Sequence, residues 1–191
     1  MMLRLAYAQE VEGRSMTFNH NENIEEYLDI IAEVMTSTST KCGILLCGTC
    51  GNGKTTTLNA FYRVCKYVDA LNFRAEQKKG NHLPSSWQLL TTTARRISQC
   101  AKDEHAMAEA KKATVLCIDD VGLEPTEVLD FGNAINPVIE IMEQRYNKQL
   151  FTFITTNLTP SQIREKYGDR IADRFNETMK CIVYKNSTFR R

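Results

Sequence analysis

The stretch CGTCGNGKTT, Cys47 to Thr56, contains two cysteines at CxxC spacing and three glycines ahead of a lysine. Cysteines at this spacing are typical of a metal site or a redox-active thiol pair, whereas glycines ahead of a lysine are typical of a loop that cradles phosphate. The short apolar run CGILLCG before the loop is typical of a strand buried on both faces. Apolar residues then recur at helical spacing, at Leu58, Phe61, Cys65, Val68 and Leu71.

The order of strand, glycine loop and helix is the context in which such a motif binds phosphate. Glycines let the backbone curl, so that successive N–H groups and the N-terminus of the following helix face phosphate oxygens. Lys54 adds a positive charge beside the β- and γ-phosphates, and we expect the Thr55 hydroxyl to bind Mg²⁺. The residues predicted to contact the phosphates are Gly48, Thr49, Cys50, Gly51, Asn52, Gly53, Lys54, Thr55 and Thr56.

A metal or redox site built on Cys47 and Cys50 is the competing interpretation. A CxxC pair at a helix N-terminus is also the arrangement of thioredoxin-like motifs. A four-ligand zinc site, however, needs a second pair, and the chain has no other CxxC and only three scattered histidines. A tight phosphate loop could not hold a disulfide and stay open. We therefore expect phosphate binding, with the cysteines as reduced thiols.

Length and composition indicate one globular domain. The chain has 191 residues, of which 42% are apolar and 25% charged, enough to bury a core without disulfides or metals. It has no uncharged apolar run as long as a membrane span, and its N-terminus becomes charged too early for a secretory signal. The net charge of +1 provides no general attraction for nucleic acid, so such a contact would need local clusters. We expect a soluble, cytoplasmic protein.

Strands and helices alternate through the remainder of the chain. The apolar runs WQLLTT, TVLCIDD, QLFTFITTN and MKCIVY predict strands, and helical spacing lies between them. Asn136 and Pro137 fit the N-cap and the first position of one helix. The alternation predicts an α/β fold of three layers, with a mostly parallel sheet flanked by helices. We expect an N-terminal arm and helix in residues 1–40 and the core in residues 41–191.

Two more strands end in polar residues that would complete a phosphate site. The run VLCIDD ends in Asp119 and Asp120, and FTFITTN ends in Asn157. Because carboxyl ends of parallel strands meet at one edge of the sheet, these side chains are expected there. Asp119 would hold Mg²⁺, and Asp120 would orient or deprotonate the attacking water. Asn157 either contacts that water or the γ-phosphate, or only forms the turn after its strand.

Arg170 and Arg174 lie four residues apart in YGDRIADRF, on one face of a predicted helix. Nothing obliges them to meet the phosphates of their own subunit. They fit a role toward the ATP of a neighbouring subunit, where they would supply charge in the transition state. They fit equally well as partners of Asp169 or Asp173 in ion pairs at the helix end.

The ordered set GTCGNGKT, IDDVG, FGN, EQRY, FTFITTN and YGDRIADRF resembles the AAA+ ATPases of the DnaC/IstB type, which comprise replicative-helicase loaders and transposition helper ATPases. The resemblance extends from about residue 42 to residue 184. It implies a P-loop ATPase that uses ATP and Mg²⁺, has an AAA+ core and lacks a C-terminal helical lid. It also implies that Asp120 supports hydrolysis, that Asn157 is the sensor residue, and that Arg174, ahead of Arg170, acts in trans.

The same resemblance implies partners. These are other copies of the chain, bound through the ATP site, and a replicative helicase or a transposase. It further implies that single-stranded DNA contacts ARRISQCAKDEHAMAEAKK, whose basic residues are Arg95, Arg96, Lys102, Lys111 and Lys112. That segment also fits a pair of solvated amphipathic helices, because it contains no aromatic residue to stack a base.

Two other functions fit parts of the sequence. A small-molecule P-loop kinase would share the phosphate loop, but such kinases usually carry an arginine-rich lid, for which the chain offers only DRIADRF. A non-hydrolysing adaptor would use ATP as a structural ligand. The intact lysine, threonine and paired acids argue against that function, although turnover by a lone subunit, which lacks the arginine of a neighbour, is expected to be slow. The segment RSMTF, from Arg14 to Phe18, fits either a contact to the base or an edge segment.

Overall fold

The structure, a computed structural model, describes residues 1–14, 22–37, 41–79, 87–130, 133–185 and 189. The described strands are β1 (Gly43–Gly48), β2 (Leu89–Thr93), β3 (Val115–Val121), β4 (Val128–Asp130), β5 (Asn133–Ile135), β6 (Phe151–Thr156) and β7 (Met179–Tyr184). The described helices are α1 (Met2–Glu12), α2 (Glu22–Thr36), α3 (Lys54–Lys78), α4 (Ala94–Gln99), α5 (Glu104–Lys112), α6 (Pro137–Asn147), α7 (Pro160–Tyr167) and α8 (Asp169–Thr178).

Five of these strands form a parallel sheet in the order β2-β3-β6-β1-β7. Leu45 of β1 lies opposite Ile154 of β6 on one side and Cys181 of β7 on the other. Ile118 of β3 also lies opposite Ile154, so β6 separates β1 from β3. The carboxyl ends of the five strands therefore lie at one edge. The predicted α/β fold with a mostly parallel sheet is confirmed.

Helices cover both faces of the sheet, and alternate side chains of β1 enter two separate apolar clusters. Ile44 and Leu46 face the cluster that contains α1, α2 and α3. Leu45 and Cys47 face the cluster formed by the helices from α4 to α8. Full burial of each aliphatic side chain contributes about 1.5–3 kcal/mol to folding. The sheet is therefore fixed from both sides, as the apolar run CGILLCG predicts.

Helix α1 is an element that the sequence pattern does not predict, because its apolar residues form only a weak stripe. Leu3, Ala6 and Tyr7 are buried against the cluster that contains α3. Arg63 of α3 also pairs with Glu10 at 2.5 Å. Tertiary packing rather than amphipathic pattern stabilises such a helix. The division of the chain into residues 1–40 and 41–191 stays a prediction.

The helix predicted from Leu58 to Leu71 is confirmed as part of α3, although its apolar face is not buried along its whole length. Leu58, Phe61 and Cys65 are buried as their spacing predicts, but Leu71 is 43% exposed. A helix of 25 residues is about 37 Å long, roughly twice the length of the six-residue strands beside it. Its last turns therefore extend past the sheet, and Leu71 has no core to enter.

Helix α6 begins as predicted and carries a buried arginine near its end. The Asn136 side chain accepts a hydrogen bond from the Ile139 amide at 3.1 Å, and Pro137 follows this N-cap. Arg145 is 1% exposed. Its guanidinium donates to Thr152 Oγ1 and to the main-chain oxygens of Ala110, Ala113 and Phe151, at 2.7 to 3.0 Å. Arg145 thereby joins α6 to the end of α5 and to the start of β6.

A short antiparallel hairpin, β4 and β5, precedes α6. Three-residue strands are too short to show an alternating pattern, and the sequence analysis does not predict them. The FGN motif extends across this hairpin, and its first two residues lie outside the described ones.

Among the described helices, none combines the length and the apolar character needed to cross a membrane.

Candidate phosphate-binding site

The loop between β1 and α3 has the backbone conformation that its glycines predict. Gly53 adopts φ +99° immediately before α3, a conformation that side chains disfavour. A Cβ at Gly53 would also lie 2.9 Å from the Tyr7 hydroxyl of α1. The loop therefore folds closely under α1, and it leads directly into the N-terminus of a 25-residue helix. Such a helix end favours a bound anion.

Lys54 lies inside this loop and is 5% exposed. Its Nζ donates to the main-chain oxygens of Gly48 and Thr49 at 2.8 and 2.7 Å, and to Asn52 Oδ1 at 3.1 Å. Burial lowers the pKa of the Lys54 amine, and the nearby Asp120 opposes that shift. The ammonium is thus held at the centre of the loop, where phosphate oxygens would replace loop carbonyls as its partners.

Thr55 and Asp119 meet across the sheet edge. Thr55 Oγ1 donates to Asp119 Oδ1 at 3.1 Å, and Thr155 of β6 donates to the same oxygen at 2.5 Å. A hydroxyl and a carboxylate are oxygen ligands of the kind that Mg²⁺ prefers. The described residues contain no group of three His, Cys, Asp or Glu side chains able to hold a metal. A cation bound at Thr55 and Asp119 would therefore complete its shell with phosphate oxygens and water, as Mg²⁺ usually does.

Asp120 stands in an unusual backbone conformation. The register between β3 and β6 shifts after Ile118, and Asp120 adopts φ +56°. Its amide donates to Thr155 Oγ1 at 2.9 Å, so Thr155 contacts both acids. A non-glycine residue in this region costs about 1–3 kcal/mol, and such strain concentrates at functional sites. Sequence reasoning missed Thr155, although it lies two residues before the predicted Asn157.

Asn157 follows the last residue of β6, between the loop and the acidic pair. Thr156 lies opposite Cys47 of β1 and Val121 of β3. Its hydroxyl donates to the Val121 main-chain oxygen at 2.6 Å and accepts from the Leu158 amide at 3.0 Å, which turns the chain at Asn157. The structure therefore brings Lys54, Thr55, Asp119, Asp120 and Asn157 to one edge of the sheet.

Two residues outside the predicted motif also contact the loop or the start of α3. Arg14 donates to Thr56 Oγ1 at 3.3 Å, and the Phe189 amide donates to the Gly51 main-chain oxygen at 2.9 Å. Arg14 opens the RSMTF segment, whose other residues lie outside the described ones. Both contacts join residues far apart in the sequence, so local spacing could not predict them. The sequence analysis singled out only Arg14, as the first residue of RSMTF.

The two cysteines of the CxxC motif have different surroundings. Cys47 is buried with its Sγ 3.8 Å from Sγ of Cys181 on β7, whereas Cys50 is exposed in the loop. All seven cysteines are free thiols. Cys47 therefore contacts a thiol that lies outside the CxxC motif.

Arg174 lies in the second half of α8, in a cavity that Cys42 and Thr152 also line, and Arg170 lies one turn nearer to the start of that helix. Helix α8 ends at Thr178, and β7 begins beside it, opposite Gly43 at the start of β1. The phosphate loop follows the other end of β1. The C-terminal end of α8 and the loop are therefore separated by roughly the 16 Å length of that strand.

The ion pairs proposed for these arginines with Asp169 or Asp173 are wrong. Arg164 pairs with both aspartates, at 2.5 and 2.7 Å. Arg170 and Arg174 instead share Glu143 of α6, at 3.3 and 3.2 Å. The Arg174 guanidinium also lies 4.5 Å from the ring centroid of Tyr146. The Arg170 side chain is 71% exposed, and that of Arg174 is 14% exposed.

The basic residues predicted to contact DNA lie on α4, on α5 and in the turn between them. Four of them are exposed: Arg95, Arg96, Lys102 and Lys112. Lys111 is partly covered and pairs with Glu140 of α6 at 2.5 Å. Four exposed cations are compatible with phosphate contacts and with an ordinary solvated face.

Comparison with known proteins gives a structural likeness only. No family model matches the sequence, and no curated protein matches it. Among solved structures, AMPPCP-bound DnaA from Aquifex aeolicus has a TM-score of 0.59 at 18% identity, over 89% of this chain and 49% of that one. This chain thus spans about half of that DnaA.

Two replication proteins match over most of their length. The DnaC helicase loader has a TM-score of 0.57 at 20% identity, over 88% of this chain and 93% of that one. A putative primosome component from Streptococcus pyogenes serotype M3 has a TM-score of 0.56 at 21% identity, over 90% of this chain and 84% of that one. The predicted likeness to DnaC-type AAA+ proteins is confirmed at the level of the fold.

Proposed function

We propose that this chain binds ATP with Mg²⁺ at the phosphate loop and hydrolyses it, as a helicase-loader-like AAA+ switch in DNA replication or transposition. One observation carries the proposal. The hydroxyl of Thr55 and the carboxylate of Asp119 meet at the sheet edge, beside the buried Lys54 amine and the strained Asp120. A purely structural sheet edge does not require this concentration of charge and strain.

The roles of the individual residues follow from their positions. The loop amides and Lys54 would bind the β- and γ-phosphates, and Thr55 and Asp119 would hold Mg²⁺. When bound, Mg²⁺ neutralises charge on the phosphates. Asp120 orients or deprotonates the attacking water, and Asn157 directs that water or the γ-phosphate. These groups come from three adjacent strands of one rigid sheet, which favours a fixed geometry.

A neighbouring copy would supply the remaining charge. Arg174 of α8 lies near the amino ends of β1 and β6, beside Cys42 and Thr152 and at the opposite end of the sheet from its own loop, where a second copy could meet it. Both arginines contact Glu143, but the Arg174 side chain is largely covered and lies over Tyr146, whereas that of Arg170 is mostly exposed. Following the family resemblance, we assign the transition-state contact to Arg174 ahead of Arg170. Such an arginine contributes about 10³–10⁵ in turnover.

The partners follow from the resemblance. We propose that ATP binding assembles copies of the chain and that a replicative helicase or a transposase is the protein partner. Single-stranded DNA is a further proposed ligand, through the exposed cations of α4 and α5. DnaA has been solved with AMPPCP and single-stranded DNA, at a TM-score of 0.57 to this chain. That likeness supports the proposal without identifying the partner.

Hydrolysis assays separate this function from its alternatives. We expect Lys54→Ala to lower ATP affinity and turnover by about 100-fold or more, since it removes the charge inside the loop. Asp120→Asn should lower turnover by about 100-fold and leave ATP affinity within a few-fold. Lys41→Ala is the matched control, because Lys41 donates to two main-chain oxygens at the end of α8.

The same assays contain the contradicting outcomes. Phosphate transfer to a nucleoside in place of water would establish a kinase. ATP binding that promotes partner binding, with no turnover by the unmodified protein, would establish an adaptor. Unchanged turnover in Lys54→Ala would show that the phosphate loop takes no part in ATP hydrolysis.

A further inference from the structure

The segment that follows the two acids is held by the end of α7. Lys166 Nζ donates to the main-chain oxygens of Gly122 and Glu124 at 2.8 and 2.7 Å. Each bond joins residues more than 40 positions apart in the sequence. Lys166 is the residue before the end of α7, so these two bonds join the end of this helix to the segment after Asp120.

A buried carboxylate completes the contact. The Glu124 side chain is 0% exposed. One of its oxygens accepts from the Gly122 amide at 2.8 Å, and the other accepts from the Tyr167 hydroxyl. Burial, reinforced by Glu124, raises the pKa of Tyr167 above its ordinary value, so the phenol keeps the proton that it donates.

The same segment is fixed from β6. The Asp120 amide donates to Thr155 at 2.9 Å, and the Val121 main-chain oxygen accepts from Thr156 at 2.6 Å. A Cβ on Gly122 would lie 2.7 Å from Leu158, the residue after Asn157. The strained Asp120 and the turn at Asn157 are thus both held through the main chain of residues 120–122.

Stability alone does not account for Glu124. A buried carboxylate costs desolvation free energy, and an apolar residue of similar volume is often neutral or stabilising in such a place. The Glu124 carboxylate instead fixes the orientation of its neighbours, because it accepts hydrogen bonds from one amide and one hydroxyl at the same time. Strained residues persist only where their surroundings over-determine them, and Asp120 is surrounded in this way.

We propose that Lys166, Tyr167 and Glu124, hereafter the clamp, are positioning residues for ATP hydrolysis. The clamp fixes the main chain of residues 120–124, so that the Asp120 carboxylate keeps its place beside Asn157 and the phosphate loop. This inference rests on the proposed ATPase function. It assigns the clamp no contact with the nucleotide, so the clamp acts on the rate of the chemical step and leaves ATP affinity unaltered.

The test compares Lys166→Met with Lys41→Met in the full chain. Both lysines donate to two main-chain oxygens, but Lys41 does so at the end of α8, away from the acids. We expect Lys166→Met to lower kcat by about 10- to 100-fold, because small misplacements of a catalytic group have effects of this size. KM for ATP should stay within about twofold. Lys41→Met should leave both constants near those of the unmodified protein.

Conservative variants separate positioning from a general loss of stability. Lys166→Arg keeps donors for the two oxygens and should recover most of kcat, and Glu124→Gln should retain more kcat than Glu124→Leu. Hydrogen exchange supplies a readout that does not depend on turnover. Amides of residues 120–124 should exchange faster in Lys166→Met than in Lys41→Met, with the remainder of the sheet unchanged.

Each outcome has one meaning. Turnover by the unmodified protein, together with equal kcat in the two methionine variants, would overturn the clamp and leave the ATPase proposal intact. Unchanged exchange of residues 120–124 would also overturn the clamp. Absence of turnover in the unmodified protein would overturn the ATPase function, and the role of the clamp in hydrolysis with it.

Discussion

The two ends of β1 carry very different surroundings for charge. At the carboxyl end, Lys54 is buried and held by three acceptors of its own chain, and Thr55 already contacts Asp119. Near the amino end, Arg174 shares the carboxylate of Glu143 with Arg170, which lies one helical turn further from that end. The first end gathers most of the proposed site within one subunit, while the second carries two arginines on one carboxylate. This difference is the basis of our proposal that the reaction centre is divided between copies of the chain.

The largest expected effect on turnover concerns the arginines of α8. Arg174→Ala should lower turnover about 10³-fold with ATP affinity unchanged, because the arginine contacts only the transition state on a neighbour. Arg170→Ala should lower turnover less than about tenfold. Turnover at saturating ATP and equilibrium binding of a fluorescent nucleotide measure the two quantities.

Mixing two inactive variants sharpens this comparison. Arg174→Ala retains an intact loop and acids, and Asp120→Asn retains the arginine, so mixed assemblies contain some complete sites. We expect activity to return on mixing, to a fraction of the unmodified rate. If the mixture stays inactive while both variants assemble, the two ends do not cooperate in trans. A larger effect of Arg170→Ala would assign the contact to that residue.

A smaller effect on turnover is expected at the carboxyl end of the sheet, beside the two acids. Thr155→Val keeps the shape of the side chain but removes the bonds to Asp119 Oδ1 and to the Asp120 amide. Turnover should fall about tenfold, the value of one or two hydrogen bonds of this kind. Ser98→Ala, which removes a buried hydroxyl within α4, is the control. An effect equal to that of Ser98→Ala would show that Thr155 does not position the acids.

The smallest effect is a pH dependence of the loop. Burial lowers the pKa of Lys54, so its amine loses the proton at a lower pH than an ordinary lysine. ATP affinity should therefore weaken a few-fold as pH rises from about 8 to 10, approaching the ordinary lysine pKa. Stability should change in the opposite sense, since the unfolded chain binds more protons in this window and folding gains as pH rises. Lys54→Arg should abolish the pH dependence of ATP affinity. An ATP affinity that stays constant over this pH range in the unmodified protein would contradict the prediction.

Much of the fold and of the candidate site is encoded locally. Strands buried on both faces read as apolar runs, and Asn136 followed by Pro137 marks a helix start without reference to other residues. Lys54, Thr55 and the acids also have local signatures, because they lie at the end of a predicted strand or in the loop and helix start that follow one. Their approach to one another then follows from the parallel order of the sheet.

Other features depend on partners far away in the sequence. Helix α1 is stabilised by packing on α3, and Lys166 contacts an oxygen 44 residues earlier. The carboxylate that Arg170 and Arg174 share lies on α6, whereas their sequence neighbours Asp169 and Asp173 pair with Arg164. Local spacing contains no information about such pairs. The sequence therefore identifies the groups of the site better than it identifies what holds them.

ATP turnover per subunit as a function of protein concentration tests the divided site most directly. It should be measured at fixed salt, with and without single-stranded DNA. We expect the rate per subunit to rise with concentration, and to rise at lower concentration when DNA is present, because a second copy completes the site. A rate per subunit that stays constant over the whole range would contradict the account, since each chain would then carry everything that hydrolysis requires.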